Sequence, residues 1–208
     1  MARLFANDTI LPSAVPEKNI TKEYQAQMAA EHSGSRWGSS AAKYSGERVL
    51  QAIKARPYVR TVLDFGCGKQ SLSEYILTNL PDREIEWTNY DPGIAGINVL
   101  PTDKFDLVVS TDVLEHIEPD LLDNTLKELG ALTGKALISD IACYPMGKKF
   151  TEGPYTGEDM HLTVESPSWW RERFSAVIPQ LQELVFEHIE RRNKGILKTR
   201  CYMINERV

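Results

Sequence analysis

The chain has 208 residues, 42% hydrophobic and 25% charged, and a formal net charge of −5 from 24 basic and 29 acidic side chains. That length and balance fit one folded domain and exclude disordered, collagen-like and fibrous classes. The acidic total argues against broad binding to a nucleic-acid backbone, so nucleic acid is an unfavoured partner. Three well-separated cysteines, no CxxC pair and no Cys/His cluster at zinc spacing point to free thiols and no metal. The opening MARLFANDTILPSAV does not read as a signal peptide, and no apolar run reaches the roughly 18 residues of a membrane helix. A soluble cytoplasmic protein without a membrane partner is expected.

In chain order, residues 1–20 read as a loose arm with Pro12 and Pro16, and TKEYQAQMAAE (21–31) as a helix. HSGSRWGSS is a Gly/Ser-dense loop, and a second helix spans about 45–55, its apolar stripe Val49, Leu50 and Ile53 ending at Pro57. RTVLDFG (60–66) is a buried strand, and Ser71 with Glu74 suggests a capping box opening the next helix. EIEWTNYD (84–91), FDLVVSTD (105–112) and KALISDIACY (135–144) are further strands. Pro119 opens a helix carrying Leu122, Leu126 and Leu129, and Ser166 caps another with Trp170, Phe174 and Ile178 on one side. ELVFEHIE (183–190) and ILKTRCYMI (196–204) flank a basic turn and read as a hairpin. The expected fold is α/β, a Rossmann-like, mostly parallel sheet with helices on both faces and an antiparallel C-terminal hairpin strand. Its expected division is an arm, helix and lid-like loop over 1–44 and a cofactor-binding domain over 45–208.

The chemistry is concentrated in Val62-Leu63-Asp64-Phe65-Gly66-Cys67-Gly68, a strand running through a turn without side-chain bulk into a helix. Glycines there let a ligand lie against the backbone, and the helix start offers unpaired N–H groups. The GxGxxG dinucleotide fingerprint is incomplete, because Ser71 stands at its third glycine. Asp64 would repel a pyrophosphate but suits a cationic amino-acid tail. Asp91, closing the second strand, is placed to accept hydrogen bonds from ribose hydroxyls.

DFGCG, the terminal acid of NYDP and FDLVVSTDVLEHI together resemble motifs of the class I S-adenosylmethionine-dependent methyltransferases, over roughly residues 45–205. SPSWW, after a loop with His161, resembles bacterial and phage members. The resemblance implies S-adenosylmethionine as cofactor, its methionine part held by Asp64, Phe65, Gly66, Cys67 and Gly68. It implies a ribose on Asp91 beside Pro92, and Ser110, Thr111, Asp112 and Val113 alongside. The chain departs from the family pattern in three places. Gln70 is near the place of a third glycine, and segment 92–105 is short for the helix and strand a standard fold puts there, leaving Asp103 as a weak adenine reader. No DPPY or NPPY tetrapeptide and no Pro-Cys pair is present, which disfavours methylation of DNA bases.

Methyl transfer needs alignment and, for some acceptors, a base. His116, His161 and Asp112 are the candidate catalytic groups, with Glu115 and Glu165 as further carboxylates. The loop 145–165, with Tyr155, Asp159 and His161, is expected after a fifth parallel-type strand as the acceptor wall. The GSRWG loop, with Trp37, is a candidate lid over the cofactor. Arg191, Arg192, Lys194, Lys198 and Arg200 read as a solvated hairpin. The leading reading is a methyltransferase acting on a small molecule such as a sugar, nucleotide or glycan precursor. The alternatives are a nucleic-acid-modifying methyltransferase and a catalytically silent cofactor-binding module.

Overall fold

The computed structural model describes residues 20–34, 38–193 and 196–207. The expected arm, most of the GSRWG loop including Trp37, and Lys194 lie outside those residues. One six-stranded sheet runs through the molecule: β1 (Thr61–Phe65), β2 (Glu86–Tyr90), β3 (Phe105–Thr111), β4 (Thr133–Ala142), β5 (Leu181–Asn193) and β6 (Ile196–Arg207). Their order is β2-β1-β3-β4-β6-β5, with β2, β1, β3 and β4 parallel and β6 antiparallel to both β4 and β5. The mostly parallel sheet closed by an antiparallel hairpin is therefore as the sequence indicates.

Side-chain alternation along the strands builds two cores. Val62, Leu107, Val109, Ala136 and Ile138 face α2 (Ala41–Lys54) and α3 (Ser71–Asn79). Leu63, Phe65, Val108, Leu137 and Ile141 face α4 (Leu122–Leu132) and α5 (Pro167–Val177). The stripes expected on these helices, Val49, Leu50 and Ile53, then Leu122, Leu126 and Leu129, then Trp170, Phe174 and Ile178, are all buried. Ser166 caps α5 as expected, its hydroxyl accepting the Trp169 N–H.

Some expectations need correction. The Ser71/Glu74 capping box does not form: Gln70 is the residue before α3, left-handed at φ 61°, without a side-chain cap bond. The second helix, expected over about 45–55, begins earlier, at Ala41. Segment 92–104 holds neither helix nor strand, so β2 is the sheet edge and four strands run parallel. The loop 145–165 accordingly follows the fourth parallel strand. Arg200 is not part of a solvated hairpin, because it is buried among carboxylates.

Helix α1 (Lys22–Gly34) lies over the carboxyl ends of the parallel strands. Thr21 starts it, accepting the Tyr24 N–H on its hydroxyl. Glu118, beyond β3, takes the Thr21 N–H and hydroxyl at 2.9 Å each and the Tyr155 hydroxyl at 2.6 Å. Gln25 donates to the Pro92 carbonyl at 2.8 Å. Tyr24 and Met28 complete the attachment by packing with Phe150 and Met160 in a separate apolar cluster.

The hairpin is tied to the parallel sheet by charge. The Asp140 side chain, fully buried on β4, accepts from Arg200 Nε of β6 at 2.6 Å, from Ser45 Oγ of α2 at 2.8 Å, and from Arg48 of α2. Burial alone would raise the Asp140 carboxyl, but the Arg200 and Arg48 guanidiniums outweigh it and hold it low. Removing one partner of such a buried cluster leaves an uncompensated charge, at about 3–5 kcal/mol. Arg200→Ala should therefore lower stability by that amount and the melting temperature by roughly 6–20 °C, measured by denaturant and thermal unfolding. A change under about 0.5 kcal/mol would mean the network is not structural. Glu118→Ala should free α1 while the sheet stays folded, read as faster amide exchange confined to residues 21–34.

Candidate functional site

At the tip of β1, the N–H groups of Gly66 and Cys67 both donate to the Tyr90 carbonyl, at 2.8 and 3.0 Å. Gly66 (φ 77°) and Gly68 (φ 52°) are left-handed, a region glycine enters without strain. Each is also pressed by protein. A Cβ on Gly66 would meet Val113 Cγ2 at 2.4 Å, and one on Gly68 would sit 2.5 Å from the Gly38 carbonyl oxygen. The bare turn thus serves packing as well as ligand access. Cys67 fills it as a small buried residue, and burial pushes its thiol upward, so it is not a nucleophile.

Asp91, just past β2, faces this turn. Its Oδ2 accepts the Gly68 N–H at 3.0 Å, its Oδ1 accepts the Gly93 N–H at 2.9 Å, and His32 Nε2 lies 3.6 Å from Oδ1. Asp64 is buried beneath the turn, and its Oδ2 has no hydrogen-bond partner among the described residues. Burial, then the Asp91 charge, raises its carboxyl to about 7.

A cavity of about 500 Å³ opens over these strand ends. It brings together Gly66, Cys67, Gly68, Asp91, Pro92, Thr111, Asp112, Val113, His116 and His161 from the residues singled out in the sequence. Asp64 and Phe65 do not line it; the Phe65 ring packs 5.1 Å from that of Tyr90 in the core. Asp103 is exposed and is not among the residues lining the cavity. Glu165 does not line it, Tyr155 is spent on Glu118, and Asp159 braces its own loop by accepting the N–H groups of Met146, Gly147 and His161.

Several lining residues escape sequence reasoning: Tyr24, Met28 and His32 of α1, Tyr44 of α2, Tyr144, Lys198 and Arg200. The α1 set carries no local signal, because it is placed by contacts with Glu118 and Pro92. Lys198 and Arg200 do carry one, being two apart on a strand and therefore on one face.

The far wall is polar. Asp112 takes a left-handed φ of 55°, and Arg200 holds its Oδ1 at 2.6 Å. Asp112, Asp140 and Glu115 together outweigh the effect of burial on Arg200 and keep it charged. His116 Nδ1–H donates to the Met160 carbonyl at 2.6 Å and His161 Nδ1–H to the Tyr144 carbonyl at 2.7 Å. These bonds fix both tautomers and leave the ring lone pairs on Nε2. The rings meet edge to face with centroids 4.7 Å apart. Burial, then His161, pushes His116 down to about 3, and burial lowers His161 as well, so both are neutral near pH 7. Lys198 Nζ stands over the Tyr144 ring at 4.6 Å.

A family model for a methyltransferase domain matches residues 37–177. No curated protein sequence matches the chain. Among solved structures, the Burkholderia thailandensis 1,6-didemethyltoxoflavin-N1-methyltransferase with S-adenosylhomocysteine is similar over 95% of this chain and 92% of its own, at 20% identity and TM-score 0.59. Magnesium protoporphyrin IX methyltransferase from Synechocystis PCC 6803, with S-adenosylhomocysteine bound, is similar over 81% of this chain and 84% of its own, at 14% identity and TM-score 0.53. Its S-adenosylmethionine-bound form covers 92% of this chain and 100% of its own, at 11% identity and TM-score 0.53. At these identities the likeness is one of fold. With the family match across more than half its length, the chain belongs to the class I S-adenosylmethionine-dependent methyltransferases.

Proposed function

We propose that the protein transfers a methyl group from S-adenosylmethionine to a small-molecule acceptor within the cavity at the strand ends. The observation that carries this is the cavity's two-sided chemistry. Asp91 and the glycine turn form one end, and Asp112, His116 and His161 form the other. Its volume of about 500 Å³ lies in the usual range for small-ligand sites. The covering of α1 over the opening favours a small acceptor over a polymer. The neighbouring enzymes, named for 1,6-didemethyltoxoflavin and magnesium protoporphyrin IX, agree with that choice.

The residues present fit the cofactor. Asp91 lines the cavity and retains carboxylate lone pairs for ribose hydroxyls beyond those given to Gly68 and Gly93. Asp64, with an orphaned buried oxygen, supplies the negative charge an amino-acid ammonium would compensate. Thr111 and Val113 also line the cavity. Bound S-adenosylmethionine supplies a methyl group already activated on a sulfonium, so alignment is the protein's main task. Asp112, His116 and His161 fix the acceptor, and each neutral imidazole contributes its Nε2 lone pair. Lys198 gives this end a cation suited to an acceptor bearing negative charge.

A nucleic-acid acceptor finds less support. Of the basic run, Arg200 is committed to Asp112 and Asp140, which removes it from any surface phosphate contact.

Calorimetry with S-adenosylmethionine tests the reading. Pairing with an ammonium favours ionised Asp64, so binding below its free value of about 7 must release a proton. Affinity should rise by up to about tenfold per pH unit as pH climbs toward 7, then level off. Asp64→Asn should weaken binding by about tenfold or more and flatten that slope. Equal affinity of wild type and variant at every pH would refute the assignment.

A further inference from the structure

We infer that Glu115, His116 and His161 form a binding site for one divalent first-row transition-metal ion at the acceptor end of the cavity. One carboxylate oxygen of Glu115 and one ring nitrogen from each histidine lie within 4.8 Å of one another. Two imidazoles and a carboxylate suit zinc, cobalt, nickel or iron better than calcium or magnesium.

The local structure prepares these side chains as ligands. Each histidine gives its Nδ1–H to a backbone carbonyl, Met160 for His116 and Tyr144 for His161. Such a bond is the arrangement that orients an imidazole and raises its basicity toward a metal on Nε2. The three side chains come from two segments that Thr163 clamps together: its N–H donates to the Glu115 carbonyl at 2.9 Å, and its Oγ1 hydroxyl to the Ile117 carbonyl at 2.9 Å. The site is therefore held before any ion arrives.

An independent observation points the same way. Glu115 is fully buried; its Oε1 accepts the Ala142 N–H at 2.8 Å, but its Oε2 has no hydrogen-bond partner among the described residues. An orphaned carboxylate oxygen costs free energy unless a cation or donor meets it. Arg200 does not fill that role, since its guanidinium is bonded to Asp140 and Asp112. With three protein ligands, the ion keeps open positions. His116 and His161 line the cavity, so those positions are accessible to an oxygen or nitrogen of the acceptor. The inference stands on the three side chains and does not require the methyl-transfer reading.

The test uses the untagged full-length chain, freed of metal with a chelator and titrated with Zn²⁺ alone in a calorimeter and with Co²⁺ alone by visible absorption. One equivalent should bind, with Co²⁺ giving bands of a low-coordinate nitrogen–oxygen site. Glu115→Gln, which keeps an oxygen for the Ala142 N–H, should weaken binding about tenfold or more, and His116→Gln with His161→Gln should abolish it. Thermal melts check that the variants fold. Should they not, wild-type imidazole NMR decides: Zn²⁺ should shift the His116 and His161 ring signals and leave His188 unmoved. No saturable binding at millimolar metal, equal binding by the double variant, or unmoved His116 and His161 signals would overturn the site.

Discussion

A buried carboxylate on β4 sets the geometry of the whole functional end. Asp140 is removed from water, and a lone ion in that position would cost several kcal/mol. Arg200 of β6 and the pair Ser45 and Arg48 of α2 compensate it, from two places far apart in the chain. Through Asp140 the antiparallel hairpin is locked to the parallel sheet, and α2 is locked to both. Arg200 then reaches past Asp140 to Asp112, whose left-handed backbone turns the chain from β3 into the 3-10 segment carrying Glu115 and His116. One ionic cluster thus fixes the hairpin, the α2 face and the Asp112 wall of the cavity in a single arrangement.

The shortened connection between β2 and β3 has a second consequence. Without a helix and strand over 92–104, the sheet edge and the mouth of the cavity would lie open. Helix α1 occupies that space instead: Gln25 grips the Pro92 carbonyl, and Gly93 packs so closely on Met28 that a Cβ there would come within 3.0 Å of it. Glu118 anchors the start of the helix at Thr21. The Asp91 side and the His116 and His161 side of the cavity therefore share one roof, supplied by a segment remote in sequence from both.

What the sequence made legible follows from how local each signal is. The buried strands β1, β3 and β4 read clearly because both faces are apolar, and α5 because Ser166 and Pro167 mark its start. The glycine turn and Asp91 read as a pair because strand ends in an open parallel sheet converge. Other features depend on partners far along the chain. Arg200 looked like one of a run of surface cations, and only its pairing with Asp140, 60 residues away, places it inside. Ser71 and Glu74 matched a capping pattern, but the left-handed turn at Gln70 already opens α3. His116 and His161 were each visible, while their contact depends on how the loop after β4 folds back, braced by Asp159.

A crystal structure with S-adenosylhomocysteine tests the central claim most directly. The account requires the ribose hydroxyls on the Asp91 carboxylate, the amino-acid tail against the Gly66–Gly68 turn, and the sulfur aimed at the wall of Asp112, His116 and His161. A molecule seated elsewhere, or that cavity filled by a different nucleotide with Asp91 untouched, would contradict it.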